Sequence, residues 1–124
     1  MSKLKEETLT YKIRGVIFKV YNVLGPGFKE AVYHNSLLEE FSKQDIKYKN
    51  KERIKIYYND KQVGVYEPDF IVEDKVIIEI KAVDIMPDVF ERQLYSYLKA
   101  TKYKIGILIN FGSEKLDIRR RVYG

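Results

Sequence analysis

The chain has 124 residues, of which 45% are hydrophobic, 33% are charged and none is cysteine. The missing cysteines exclude disulfide scaffolds, thiolate metal sites and cysteine nucleophiles, and the single histidine, His34, excludes sites built from two imidazoles. The net charge of +5, from 23 basic and 18 acidic residues, does not by itself identify a partner.

The length suits one compact domain over residues 1–124. No apolar run approaches the roughly 20 residues of a membrane span, and the start of the chain lacks the apolar segment of a signal peptide. We therefore expect a soluble, cytoplasmic protein without a membrane partner.

Two helices are predicted in the first third of the chain. Apolar residues at helical spacing predict the first over about residues 8–24, capped by Thr8 or Thr10 and ended by Gly25-Pro26-Gly27. The second is predicted over about residues 28–43, with Glu30, Tyr33 and Leu37 along one side. Its predicted inward residues are Phe28, Ala31, Val32, Leu38 and Phe41.

From about Ile46 the apolar period changes to two, which is typical of strands. Strands are predicted over residues 53–58, 63–66, 69–72, 76–81, 105–109 and 115–122, with turns at 59–62 and 73–75 and a third helix after Pro87-Asp88. The nearly apolar run 76–81 indicates a central strand covered on both faces, and the run 115–122 indicates an edge strand. We expect an α/β fold with a mixed sheet of four or five strands flanked by helices.

Basic residues cluster in two places. One set alternates along the chain and would point to one side of an extended strand: Lys47, Lys49, Lys51, Arg53 and Lys55. The other set is Arg119, Arg120 and Arg121. Both are candidates for contacts with nucleic-acid phosphates. The alternative is the solvated face of an edge strand, where lysines discourage aggregation.

A charged pair interrupts the most apolar of these strands. Glu79 and Lys81 are two residues apart and share one face, and their burial is unfavourable unless they pair or bind a ligand. If the preceding turn leaves residues 73–75 unpaired, Asp69 lies opposite Glu79 on the same face, about 5 Å away. A two-residue turn would instead place Asp69 opposite Ile80, and no site would form.

Two converging carboxylates repel each other unless a cation lies between them. Their hard oxygen ligands favour Mg²⁺ or Mn²⁺, which keep coordination positions open for water and phosphate. A neighbouring lysine can hold a water or offset charge that grows on a phosphate. The set indicates phosphodiester hydrolysis, and the alternative is a buried structural ion network.

This constellation, Asp69, nine residues, then Glu79-x-Lys81, resembles the PD-(D/E)xK nuclease superfamily, which has the restriction-endonuclease-like fold. Gly27-x-x-Glu30-x-x-Tyr33 is similar to the signature of a small prokaryotic branch of that superfamily, the GxxExxY proteins. The segment from Gln93 to Thr101 and the segment from Gly106 to Gly112 also resemble that branch. The likeness covers about residues 10–122.

The resemblance implies roles for individual residues. Asp69 and Glu79 would be the main metal ligands, joined by the Ile80 carbonyl, and Glu30 would add a carboxylate directly or through water. Lys81 would be the catalytic lysine.

Gln93 and Tyr97 resemble the Q-x-x-x-Y helix motif of RecB-like nucleases and would orient the lysine, the metal waters or the nucleic-acid backbone. The alternatives are a surface glutamate near a helix N-terminus for Glu30, and packing or capping for Gln93 and Tyr97. We expect Tyr33 in the core and His34 on the surface.

The resemblance therefore implies a nuclease that depends on Mg²⁺ or Mn²⁺ and acts on DNA, less readily on RNA, and by analogy forms a homodimer. The alternatives are a non-cleaving nucleic-acid-binding module that retains the nuclease fold, a protein-interaction module, and a nucleotide phosphohydrolase.

Overall fold

The computed structural model describes the backbone of residues 2–124 and the side chains from Glu6 onward. The helices are α1 (Ser2–Leu24), α2 (Glu30–Lys43) and α3 (Asp88–Ala100). The strands are β1 (Tyr48–Asn50), β2 (Ile54–Tyr58), β3 (Lys61–Tyr66), β4 (Phe70–Val72), β5 (Val76–Lys81), β6 (Ile105–Asn110) and β7 (Asp117–Val122). Among the described residues, no helix is both long and apolar enough to cross a bilayer.

α1 begins earlier than the sequence predicted, at Ser2 rather than about residue 8. Thr8 and Thr10 therefore lie inside the helix, and the prediction that one of them caps it was wrong. The Thr10 hydroxyl donates instead to the carbonyl of Glu6, one turn earlier, at 2.8 Å. The predicted end of the helix is confirmed, because Gly25 and Gly27 adopt positive φ angles of 67° and 107°.

α2 buries only part of the predicted inward set: Phe41 is buried and Leu38 packs against the core, as predicted, but the other members are exposed. Its buried residues are Tyr33, His34, Leu37 and Phe41, whereas Phe28 and Val32 are 46% and 38% exposed. The buried residues follow helical spacing and form one continuous stripe, which the predicted inward set does not. The expectation that His34 lies on the surface was therefore wrong.

A mixed sheet of five strands forms the centre of the fold, in the order β1-β4-β5-β6-β7. β5 and β6 are parallel and α3 connects them, while the other neighbouring strands are antiparallel. α1 and α2 cover one face of this sheet. α3 covers the other face together with the β2–β3 hairpin, so β5 is buried on both sides. The α/β fold, the central strand and the β7 edge strand match the sequence predictions.

The β2–β3 hairpin is a separate two-stranded sheet. Asn59 and Asp60 form its two-residue turn, and both have positive φ, as hairpin turns that match the strand twist require. The sequence predicted that five alternating basic residues would line one strand, and this is wrong. β1 ends at Asn50, Lys51 has a φ of 54°, and β2 then enters the separate hairpin.

Candidate active site

The register of the β4–β5 hairpin brings the predicted acidic residues together. Phe70 lies opposite Ile78 and Val72 opposite Val76, which leaves residues 73–75 as the turn. Continuing this register places Asp69 opposite Glu79. The three-residue turn that the sequence analysis required is confirmed.

The Asp69 side chain is held from two sides at the start of β4. Its Oδ2 accepts a hydrogen bond from the backbone N–H of Ile80 at 2.7 Å. Its Oδ1 lies 3.4 Å from Nδ1 of His34. The His34 ring stacks on Phe70, with centroids 4.4 Å apart, and its Nε2–H donates to Oδ1 of Asn50 at 2.6 Å. These contacts fix the orientation of one carboxylate from α2, β1 and β5.

The Glu79 carboxylate is largely buried under the β2–β3 hairpin. Burial raises the pKa of Glu79 from 4.5 to about 7, and the charge of Asp69 adds to this increase. Hydrogen bonds from the Tyr66 hydroxyl, at 2.5 Å, and from the Asp69 backbone oppose the increase, as does the charge of Lys81. The two carboxylates thus interact across the hairpin as the sequence analysis anticipated.

Glu30 reaches the same region from the first residue of α2. Partial burial raises the pKa of Glu30, the charge of Asp69 raises it further, and Lys81 lowers it. Tyr33 holds this end of the helix, because its buried hydroxyl donates to the Gly25 carbonyl at 2.6 Å and accepts from the Phe28 N–H at 3.2 Å. Tyr33 is a core residue, as expected, and it fixes the loop that delivers Glu30.

Lys81 ends β5 on the same face as Glu79, and its half-buried ammonium lies 4.5 Å from the ring centroid of Phe90 on α3. The segment that follows is held by the buried Asn110 side chain, which accepts from the Val83 N–H and donates to the Val83 carbonyl. Gly112 packs so closely here that a Cβ would lie 2.5 Å from Val83 N. The end of β5 is therefore rigidly supported.

The two residues of the predicted helix motif have different surroundings. The ring of Tyr97 stacks in parallel on Tyr66, with centroids 3.8 Å apart, and so contacts the residue that holds Glu79. Gln93 is exposed, and its side chain makes no hydrogen bond with another residue that the structure describes. The structure thus brings Tyr97 to the site through Tyr66 and leaves Gln93 facing solvent.

The predicted phosphate-binding residues are spread over several surfaces. Lys47, Lys49, Lys51, Arg53 and Lys55 are all exposed. Lys51 lies beside the site, because its backbone N–H donates to the Asp69 carbonyl at 3.1 Å. Arg119 and Arg121 both bind Glu91, at 3.2 and 2.7 Å, while Arg120 is exposed. Contact of these residues with nucleic acid stays a prediction.

Sequence reasoning missed two residues of the site, His34 and Tyr66. A signal for His34 was present, because it follows Glu30 by one helical turn and so shares its side of α2. No local signal marked Tyr66, because its position depends on how the β2–β3 hairpin packs against α3.

The donor set fits a hard divalent cation. Asp69, Glu79 and Glu30 offer carboxylate oxygens. Burial is the main reason that the pKa values of Glu79 and Glu30 are raised, and a cation between the carboxylates would relieve the repulsion from Asp69 that adds to it. Within the described part of the chain, no three acidic or histidine side chains converge closely enough to enclose an ion.

Comparisons with known proteins identify a family and a similar fold. A family model described as the PD-(D/E)XK nuclease superfamily matches residues 7–121. The fold is similar to that of the protein SSO0001, with a TM-score of 0.54 and 19% identity, over 74% of this chain and 48% of that one. An alkaline exonuclease from Laribacter hongkongensis, LHK-Exo, has a TM-score of 0.42 and 11% identity, over 70% and 52% of the two chains.

The chain therefore spans about half the length of each of these two proteins. No match was found among curated proteins. The family match covers nearly the whole sequence and includes every residue of the candidate site. The chain belongs to the PD-(D/E)XK nuclease superfamily.

Proposed function

We propose that the chain is a divalent-metal-dependent nuclease that hydrolyses phosphodiester bonds in DNA. Family membership supports a nuclease-type function, and superfamily members generally use divalent metals. The observation that carries the proposal is the pairing of Asp69 with Glu79 across the β4–β5 hairpin, with Lys81 on the same face as Glu79. We assign the chain to the GxxExxY branch on the spacing of Gly27, Glu30 and Tyr33.

The metal would be held mainly by Asp69 and Glu79. The Ile80 carbonyl would add a third ligand, and Glu30 would contribute directly or through water. When bound, Mg²⁺ or Mn²⁺ supplies positive charge that polarises the phosphodiester and stabilises the leaving oxygen.

Lys81 would act on the attacking water and on the phosphate. Its ammonium would hold the water for in-line attack and offset the negative charge that builds on the phosphate oxygens. Phe90 limits the positions of the ammonium by a cation–π contact at 4.5 Å. Tyr97 would support the acidic pair through Tyr66, and Gln93, which faces solvent, would contact the nucleic-acid backbone.

Phosphates beyond the cleaved bond would be bound by the exposed basic residues. Lys51 lies next to Asp69, Lys49 lies in β1 and Lys55 in β2, and Lys47 and Arg53 directly precede these two strands. Arg120 would contribute more than Arg119 or Arg121, whose charges Glu91 already offsets. We propose low sequence specificity, a preference for DNA over RNA, and a homodimer.

The test is cleavage of single-stranded, duplex and branched DNA and of RNA, in Mg²⁺, Mn²⁺ or EDTA, read on denaturing gels. Asp69→Asn and Lys81→Met should abolish cleavage, whereas Glu39→Gln, an exposed carboxylate on α2, should cleave as the wild type does. EDTA should stop the reaction.

Equal cleavage by wild type and Asp69→Asn would reject this site. Metal-dependent binding without cleavage of any substrate would instead support the alternative, a non-cleaving nucleic-acid-binding module with the same fold. A stable protein partner with no affinity for nucleic acid would support an interaction module.

A further inference from the structure

The tip of the β2–β3 hairpin carries two neighbouring aromatic rings that face solvent. Tyr57 and Tyr58 are 58% and 69% exposed, and they directly precede the turn at Asn59 and Asp60. The register of the hairpin shifts after Ile56, where β3 has one residue more than β2, and such a bulge changes the direction of nearby side chains. β2 therefore ends with two consecutive exposed tyrosines, where a regular half-buried strand would alternate.

The base of this hairpin is fixed beside the acidic pair, whereas its tip is free. Ile54 and Ile56 pack into the cluster under α3, and the buried Tyr66 donates its hydroxyl to Glu79. Residues 57–62 are all exposed. Because β3 rises by about 3.3 Å per residue, the tip lies roughly 15 Å from Tyr66 along the strand. An extended chain that contacts the tip can therefore continue to the acidic pair.

The segment from residue 47 to residue 61 carries an excess of positive charge, with six basic and two acidic residues. The basic residues are all exposed, and they are Lys47, Lys49, Lys51, Arg53, Lys55 and Lys61. Within the part of the chain that the structure describes, none of these six charges pairs with a carboxylate, whereas Lys19, Arg119 and Arg121 do. Surfaces that bind single-stranded nucleic acid combine such free positive charge with exposed aromatic rings.

The positive charge distinguishes a nucleic acid from a protein as the partner of this surface. Val63 and Val65 are also exposed on the hairpin, as they would be on a protein-binding surface. However, Lys55 lies directly opposite Val65, and Lys61 lies opposite Tyr58. Lysine is depleted from protein interfaces, whereas phosphates attract it. The arrangement therefore favours a polyanion with flat rings of its own.

We propose that the β2–β3 hairpin binds single-stranded nucleic acid, with bases stacked on Tyr57 and Tyr58 and with phosphates on Lys55 and Lys61. A duplex keeps its bases paired and stacked inside the helix, so it cannot offer them to these rings without being opened. The inference rests on the proposed function in one respect, that the substrate is a nucleic acid. It adds the form of that substrate and the surface that selects it.

The helical side of the molecule offers matched controls. Tyr11 on α1 is 79% exposed, and Lys12 beside it is exposed as well. α1 packs on the face of the sheet opposite to the hairpin. Tyr11→Leu and Lys12→Gln therefore make the same chemical changes as the test variants, on a surface remote from the hairpin.

The experiment measures binding of labelled single-stranded and duplex DNA by fluorescence anisotropy, in EDTA so that no metal-dependent cleavage occurs. Oligonucleotides of about 20 nucleotides exceed the usual size of such sites. Tyr57→Leu and Tyr58→Leu should each weaken single-strand binding about tenfold and duplex binding much less. Tyr57→Phe and Tyr58→Phe keep the rings and should bind as the wild type does, and Tyr11→Leu should change nothing. Melting temperatures confirm that each variant is folded.

The dependence on salt separates the phosphate contacts from stacking. Lys55→Gln and Lys61→Gln should each reduce the slope of log K against log salt concentration by about 0.7, the value for one phosphate contact on a single strand. Tyr58→Leu should weaken binding without changing this slope, and Lys12→Gln should leave the slope and the affinity unchanged.

The inference is overturned if the wild type binds duplex as tightly as single-stranded DNA, or if the leucine variants at Tyr57 and Tyr58 lose no more affinity than Tyr11→Leu. It is also overturned if the phenylalanine variants lose as much as the leucine variants, because the hydroxyl would then make the contact. None of these results touches the proposed nuclease, which the cleavage assay with Asp69→Asn tests separately. If binding follows the tyrosines but no substrate is cleaved, the nuclease proposal fails and the assignment of the hairpin stands.

Discussion

Replacing Glu79 by glutamine should stabilise the fold at alkaline pH. The unfolded chain loses the Glu79 proton near pH 4.5, whereas the folded chain keeps it until about pH 7. Between these values the folded state binds more protons, so its stability falls as the pH rises, and the loss is complete above pH 7. Raising the pKa from 4.5 to about 7 corresponds to about 3 kcal/mol.

Glutamine keeps an oxygen that can accept the Tyr66 hydrogen bond and removes the buried charge. In the presence of EDTA, we expect Glu79→Gln to raise the free energy of unfolding by up to about 3 kcal/mol at pH 8 and by about 1 kcal/mol at pH 5. Urea unfolding followed by far-UV circular dichroism measures both values. Glu39→Gln, an exposed change on α2, serves as the control and should change little at either pH.

The reasoning is refuted if Glu79→Gln lowers the free energy of unfolding at pH 8, or if the increase that it causes at pH 8 is no larger than the increase at pH 5. Adding Mg²⁺ should narrow the difference in stability between the variant and the wild type, because Mg²⁺ bound at the proposed site would stabilise only the folded wild type. The same change should remove the proposed nuclease activity, which would mean that the charge that weakens the fold is needed for the chemistry.

Three further substitutions test the support around the site. Gly112→Ala should lower the melting temperature and reduce the free energy of unfolding by about 2 kcal/mol or more, because the alanine Cβ would lie 2.5 Å from Val83 N. An unchanged melting temperature would show that the loop accommodates the added Cβ. Asn110→Ala removes the hydrogen bonds with the N–H and the carbonyl of Val83, and should lower the free energy of unfolding in urea by about 2 kcal/mol. A decrease below about 0.5 kcal/mol would contradict the supporting role of Asn110. Phe90→Leu removes the ring beside Lys81 and should reduce the cleavage rate up to about tenfold with unchanged Mn²⁺ affinity; reduced affinity would mean that Phe90 shapes the metal site instead.

The acidic pair could be predicted because it depends on local sequence. A strand, a three-residue turn and a second strand fix which residues face each other, and the alternation of Phe70 and Val72 against Ile78 and Val76 sets the register. The charged residues in the buried strand then indicated a site without knowledge of the rest of the fold.

The sequence predictions were wrong where tertiary packing decides which helix face is buried and which strands pair. The apolar character of Phe28 and Val32 favoured one face of α2, but the hydrogen bonds and stacking of Tyr33 and His34 bury another. The alternation of basic residues was real, but the positive φ of Lys51 divides the segment between two sheets. Nothing in the alternation of one strand indicates which other strand it will pair with.

The position of the acidic pair on a local hairpin has a consequence for folding. The β4–β5 hairpin is local, so it can form within microseconds, whereas the parallel pairing of β5 with β6 must wait for α3 to cross over. We therefore expect Asp69 and Glu79 to meet early, while water still solvates both. We expect the unfavourable step to come later, when α3 and the β2–β3 hairpin close over Glu79 and remove that water. An ion that binds before this closure would then assist the last stage of folding as well as the chemistry.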